Sequence, residues 1–191
     1  MATGSLFGAD LPEGFEYRDE FITADEETRL VKHINSIAFA TFEMRGVVAK
    51  RRVAFFGASY DRSDAPSPAI PEFLFDVRAR LASWAGVQAE AFAMALINEY
   101  RPGAPIGWHR DAPQYDITAG VSLLSSCRMR LRPYVSPAEA AQRRERRQTT
   151  HDLALPRRSA YVISGAARSR YEHSIPAVAN LRYSITFRTL R

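Results

Sequence analysis

At 191 residues, with 46% hydrophobic and 25% charged residues, the chain has the make-up of an ordinary globular protein and the length to bury one core. No apolar run approaches the ~18 residues of a membrane-spanning helix, and the single cysteine, Cys127, excludes an internal disulfide. The net charge of +5 suits a polyanionic partner without specifying one.

Residues 1–12 are small and polar and show no charged-then-apolar signal pattern, so residues 1–13 are expected to form a flexible leader to a single domain at 14–191. The lone cysteine fits a reducing, cytoplasmic setting. Residues 14–22 read as a short extended entry. Thr23-Ala24-Asp25-Glu26 then has the form of a capping box, with Leu30 and Ile34 on one face of the helix that follows. His33 lies beside that face and reads as a packing or surface histidine.

Residues 41–60 interleave Phe42, Phe55, Phe56 and Tyr60 with Arg45, Lys50, Arg51 and Arg52, around Gly46 and Gly57. Turn residues between β-branched and aromatic runs predict hairpins. Two meanings are open. Cations that grip phosphates beside aromatic faces that stack on bases make a surface for single-stranded nucleic acid. A half-buried strand pair with a charged outer face has the same composition. Residues 61–71 are rich in Ser, Asp and Pro and read as a loop. Pro71 suits the first turn of a second helix, in which Phe73, Val77, Leu81 and Trp84 form an apolar stripe and Gly86 a stop.

From residue 91 the period becomes two. Phe92, Met94, Leu96, Asn98 and Tyr100 are predicted to share one strand face, and Gly103 and Pro105 then break the ladder. Further strands are expected at 120–124, 128–133, 153–155, 159–164 and 181–188. Short strands punctuated by Gly and Pro indicate a sandwich or barrel, so the chain is mainly β with N-terminal helices. Arg143, Arg144, Arg146 and Arg147 fall between two of these strands. They read as a solvated loop or short helix, with a phosphate-contacting arm as the alternative.

The chemistry concentrates at His109-Arg110-Asp111, the one His-x-Asp in a chain with four histidines. In an extended segment, residues two apart project to the same face and can offer an imidazole nitrogen and a carboxylate oxygen to one metal ion. The third ligand comes from His33, His151 or His173. His173 is the best placed, lying between two predicted core strands, whereas His151 follows an arginine-rich loop. Two histidines and one carboxylate with other positions open form the facial triad of non-haem Fe(II) oxygenases.

The last strand alternates strictly, with Tyr183, Ile185 and Phe187 on one face and Arg182, Ser184, Thr186 and Arg188 on the other. Two arginines on an inward face require anions. Their Cα atoms lie ~20 Å apart at ~3.3 Å per residue, a span that two inward-reaching side chains shorten to that of a short dicarboxylate. Pairing with protein carboxylates at the sheet edge is the alternative.

Together, Asn98-x-Tyr100-x-Pro102-Gly103, His109-x-Asp111, His173 and the two arginines of Arg-Tyr-Ser-Ile-Thr-Phe-Arg resemble the AlkB family of Fe(II)- and 2-oxoglutarate-dependent dioxygenases, in order and spacing, over residues 14–191. The resemblance implies a double-stranded β-helix (jelly-roll) core with supporting N-terminal helices. It implies that His109, Asp111 and His173 bind Fe(II) and are the catalytic ligands. Arg182 and Tyr100 would hold the distal carboxylate of 2-oxoglutarate, with Asn98, Ser184 and Arg188 completing its site and O2 as second co-substrate. Residues 41–60 match the family's nucleotide-recognition lid, which makes Arg45, Lys50, Arg51, Arg52 and Tyr60 the candidate nucleic-acid contacts. The implied activity is oxidative demethylation of N-alkylated bases in DNA or RNA, by a monomer that does not enter membranes. The alternatives are hydroxylation of tRNA bases, protein side chains or small molecules, or a non-catalytic nucleic-acid-binding relative. Two features depart from the family pattern. Ser184 stands where relatives often carry Asn, and Ala112-Pro113-Gln114 replaces the acidic residues that follow His-x-Asp in repair members.

Overall fold

The computed structural model describes residues 11–44, 46–58, 67–136, 138–139 and 149–191. Most of the expected leader, Arg45, Tyr60 and the run from Arg143 to Arg147 lie outside the described residues. In chain order the elements are β1 (Phe15–Arg18), α1 (Ala24–Ile34), β2 (Ala40–Met44), β3 (Val47–Gly57), α2 (Phe75–Ala85), β4 (Met94–Tyr100), β5 (Ile106–His109), β6 (Tyr115–Leu123), β7 (Cys127–Pro133), β8 (His151–Leu155), β9 (Ala160–Ile163), α3 (Gly165–Ser169), β10 (Tyr171–Ile175) and β11 (Arg182–Leu190).

Both main helices begin and end for the reasons their sequences give. The Thr23 hydroxyl accepts from the Glu26 amide at 3.1 Å, and the Glu26 carboxylate accepts from the Thr23 amide at 2.7 Å, closing the capping box ahead of α1. A single 3-10 turn, Glu72–Leu74, leads from Pro71 into α2. Gly86 ends that helix with φ 72°, a left-handed conformation that costs glycine little. Val77 and Leu81 are buried, and Phe73 and Trp84 pack against the same core. His33 stacks on Phe73 at 4.8 Å between ring centroids and faces solvent, which accounts for it without a ligand role.

The strands form a seven-stranded sheet in the order β1-β9-β6-β11-β4-β3-β2 and a four-stranded sheet in the order β5-β10-β7-β8, with every pairing antiparallel. This is the two-sheet jelly roll that the motifs imply. One face of the large sheet carries Ala95, Ile97, Val121, Leu123, Ile185 and Phe187, which pack on Leu30, Ile34, Leu74, Val77 and Leu81 of the helical layer. The other face meets the small sheet, where Phe15, Tyr161 and Ile163 pack on Met129, Leu131 and Leu155.

Several boundaries differ from those expected. Phe92 does not share a face with Met94 and Leu96. It precedes β4 and belongs to the helix-side core, while Met94 and Leu96 pack on the inner side. The central strands are covered on both faces, so β4 is apolar at alternate positions on each side and simple alternation describes only half of it. β6 begins five residues earlier than expected, because Asp116 and Thr118 interrupt its apolar pattern. His151 opens β8, opposite Leu131, rather than closing a loop. The five-residue α3 is too short to show helical periodicity. Among the described residues no helix is long and apolar enough to cross a membrane.

A buried carboxylate ties the helical layer to the sheet. Glu27 of α1 accepts from the Leu124 amide at 2.7 Å, and from Arg157 Nε and Nη2 at 3.0 and 2.6 Å. Leu124 adopts φ 69° at the turn after β6, presenting its amide to that carboxylate. Glu27→Ala leaves this amide without its partner in a buried site. It is expected to lower the stability to urea unfolding by ~1–3 kcal/mol, with Glu27→Gln falling between it and the parent.

Candidate functional site

The small sheet brings the metal-ligand candidates together. β5 and β10 are neighbours, and their register sets His109 opposite His173, with ring centroids 4.2 Å apart. β5 ends at His109, so strand alternation alone does not orient Asp111. Its carboxylate is fixed by two donors instead: Thr118 Oγ1 donates to Oδ2 at 2.7 Å and Arg188 Nη2 donates to Oδ1 at 3.1 Å. One ligand atom from each of His109, Asp111 and His173 lies within 4.8 Å of the others.

The protonation states suit a cation. Burial pushes both imidazoles below their ordinary range, His173 to about 3, so each keeps a lone pair at neutral pH. The Gly107 carbonyl lies 2.9 Å from His109 Nδ1, which makes Nδ1 the protonated nitrogen and leaves Nε2 as the donor atom. For Asp111, burial opposes ionisation, but the Arg188 guanidinium and then His173 outweigh it and hold the carboxyl well below its usual range. Two neutral imidazoles and one carboxylate, with no thiolate, form a donor set that fits Fe(II).

Arg168 of α3 is a residue the sequence did not single out. Its Nη2 donates to the carbonyl oxygens of Asp111, Ala112 and Tyr115, at 3.1, 2.7 and 2.9 Å. It clamps the turn after the His-x-Asp to the short helix that leads into β10 and His173. Thr118, which holds Asp111, was also missed. Its only sequence signal is the small, partly polar inner face Thr118, Gly120 and Ser122 of β6.

A second group lies along the inner face of the large sheet. Register places Arg182 opposite Tyr100 and Ser184 opposite Asn98. The Arg182 guanidinium sits 5.1 Å from the Tyr100 ring centroid, its Nε donates to Ser122 at 3.0 Å, and its buried Nη1 has no partner. Asn98 Nδ2 donates to Ser184 Oγ at 3.3 Å. Burial pushes the Tyr100 phenol up, keeping it a neutral donor. The two arginines differ. Arg188 pairs with Asp111, the protein carboxylate that the sequence left as an alternative, yet its buried Nε is unpaired. Arg182 has no carboxylate partner among the described residues. Two buried guanidiniums with orphaned N–H groups on one face fit an incoming dicarboxylate.

The β2–β3 hairpin divides its cations, because successive strand residues face opposite ways. Arg51 turns inward: its Nε donates to Asn98 Oδ1 at 3.2 Å, and its guanidinium lies 4.7 Å from the Phe42 ring centroid. Arg52 faces the other way and forms a two-point pair with Glu99 at 2.6 and 2.8 Å. Lys50 is exposed.

A family model described as the 2OG-Fe(II) oxygenase superfamily matches residues 21–188. Among solved structures, the chain is similar to OsALKBH1, with 17% identity, a TM-score of 0.64 and coverage of 94% of this chain and 99% of that one. It is similar to a Pseudomonas putida prolyl-4-hydroxylase, with 14% identity, a TM-score of 0.63 and coverage of 93% of each chain. A Burkholderia pseudomallei oxidoreductase of the 2OG-Fe(II) oxygenase family gives 17% identity, a TM-score of 0.64 and coverage of 93% of this chain and 85% of that one.

Two outcomes follow from the geometry. Arg168→Ala is expected to weaken Mn(II) binding at least ~tenfold, as loss of support behind a ligand does, and Arg168→Lys should restore part of it; titration by electron paramagnetic resonance reads both. The second concerns pH. His173 has a folded pKa below its unfolded value of ~6.5, so protonation favours the unfolded chain and stability is lost as pH falls from ~6.5 towards the folded value. Between pH 7 and 5 the metal-free protein should therefore show a falling urea midpoint, and His173→Asn a smaller fall. Parallel falls in the two proteins would show that His173 does not contribute.

Proposed function

Because the chain belongs to the 2OG-Fe(II) oxygenase superfamily, we propose that this dioxygenase removes alkyl groups oxidatively from N-alkylated bases in DNA or RNA. Enzymes of the superfamily use Fe(II), 2-oxoglutarate and O2, and the bound iron supplies the oxidising chemistry that side chains lack. In this reading His109, Asp111 and His173 hold the iron. Arg182 and Tyr100 hold the distal carboxylate of 2-oxoglutarate, and Asn98, Ser184 and Arg188 complete the co-substrate site. Arg188 serves both parts, since the same guanidinium fixes Asp111.

The observation that carries the nucleic-acid reading is the inner face of the β2–β3 hairpin. Phe42 and Phe55 pack there beside Met94, Leu96 and Tyr115, and Arg51 lies over Phe42 while bonded to Asn98 of the co-substrate site. Aromatic rings with a cation next to the reacting centre suit a base taken out of its stack. Residues 41–60 would then act as the lid. Lys50 remains for the phosphate backbone, together with Arg45 and Tyr60. The likeness to the P. putida prolyl-4-hydroxylase concerns the fold, and hydroxylation of a protein side chain would use the same iron and co-substrate residues.

Succinate release should be measured with methylated single-stranded DNA, methylated duplex DNA, methylated tRNA and a proline-rich peptide. Stimulation by a methylated nucleic acid, with matching aldehyde, is expected; stimulation by the peptide alone would overturn the proposal. In the same assay Arg182→Ala should raise the 2-oxoglutarate requirement by roughly ten- to a hundredfold, the value of a charge-assisted two-point contact.

A further inference from the structure

Tyr161 has no part in the site as described, yet the register carries its ring into the middle of it. On β9 it pairs with Gly120 of β6, and Gly120 pairs with Thr186 of β11. Thr186 lies between Arg182 and Arg188 on the inward face, so Tyr161 sits level with the gap between the two orphaned guanidiniums. Gly120 explains how the ring reaches there. A Cβ at that position would stand 2.7 Å from both Cζ and Oη of Tyr161, so the phenol lies flat across β6 in space that only glycine leaves open. Phe15 stacks on the ring at 6.1 Å with an interplanar angle of 8°, fixing its tilt.

The hydroxyl is set among charged groups. Arg182, Arg188 and Asp111 all act on it electrostatically, and burial pushes the phenol up, so that it stays a neutral O–H donor. Among the described residues no protein group forms a hydrogen bond with it. A buried phenol in this position has the chemistry to meet an anion shared with the arginines.

We propose that Tyr161 is a co-substrate-binding residue whose hydroxyl donates a hydrogen bond to the dicarboxylate held between Arg182 and the metal site. The role concerns the co-substrate, so it stands or falls separately from the nucleic-acid reading. Gly120 is then part of the same device, because a side chain there would displace the donor.

The test is calorimetric binding of 2-oxoglutarate to Mn(II)-loaded protein without O2, for the wild type and Tyr161→Phe. Loss of one hydrogen bond to a charged group should weaken binding on the order of tenfold, with Mn(II) affinity and thermal midpoint unchanged. Equal 2-oxoglutarate affinity in the two proteins overturns the proposal, as does a wild type that binds no 2-oxoglutarate. A measurement that keeps the phenol in place covers a variant that fails to fold. With 3-fluorotyrosine placed at position 161 of Zn(II)-loaded protein, the fluorine resonance should shift on adding 2-oxoglutarate and not on adding acetate. An unmoved resonance would equally overturn it.

Discussion

The ion pair between Asp111 and Arg188 is the contact on which the rest of the site depends. Both partners are nearly excluded from solvent, and their atoms meet at 3.1 Å. Burying one carboxylate and one guanidinium is costly, and further hydrogen bonds to the carboxylate and its turn offset part of that cost. Thr118 takes the second oxygen of Asp111, and Arg168 gathers the carbonyls of the turn that carries it. The pair also joins the two sheets, since Arg188 belongs to β11 of the large sheet while Asp111 follows β5 of the small one. The ligand triad is therefore held from both sides of the roll.

The layers explain how a polar interior is tolerated. The helical side of the large sheet buries Leu30, Ile34, Val77 and Leu81 against Ile97, Val121 and Ile185, and its polar groups, such as Glu27 and Glu99, are paired. Hydrophobic burial there, worth ~25 cal/mol per Å2 of apolar surface, stabilises the scaffold. The inner side can then carry Arg182, Arg188, Asn98 and Ser184, whose polar groups are incompletely paired. The orphaned Arg182 Nη1 and Arg188 Nε lower stability for want of a partner. Apolar burial and incompletely paired polar groups thus sit on opposite faces of the same strands.

The superfamily's motif residues and the hairpin aromatics lie in different parts of the fold. The triad and the β11 arginines lie on paired strands whose register is fixed by burial on both faces. Phe42, Phe55 and Arg51 lie on a hairpin at the edge of the large sheet, where β2 has a single neighbour.

The sequence by itself determined the parts governed by local chemistry and by simple period. The capping box at Thr23, the left-handed stop at Gly86 and the alternation of β11 all follow from residues a few positions apart, whereas the His-x-Asp motif was visible but Asp111 is aimed by the distant Thr118 and Arg188. His173 was legible because only four histidines exist and it falls between two predicted core strands, while His33 sits in a helix. Tertiary structure alone decided the contacts between distant residues. Arg168 reaches Asp111 across 57 positions and Arg51 reaches Asn98 across 47, with no periodic pattern to announce either. The four hairpin cations read as one surface until β3 turned Arg51 inward and Arg52 outward. The placing of Tyr161 over Gly120 was equally invisible, because it depends on the register of β9 against β6. A period describes which way a residue faces along its own strand. Only the packing of one strand beside another says what it faces.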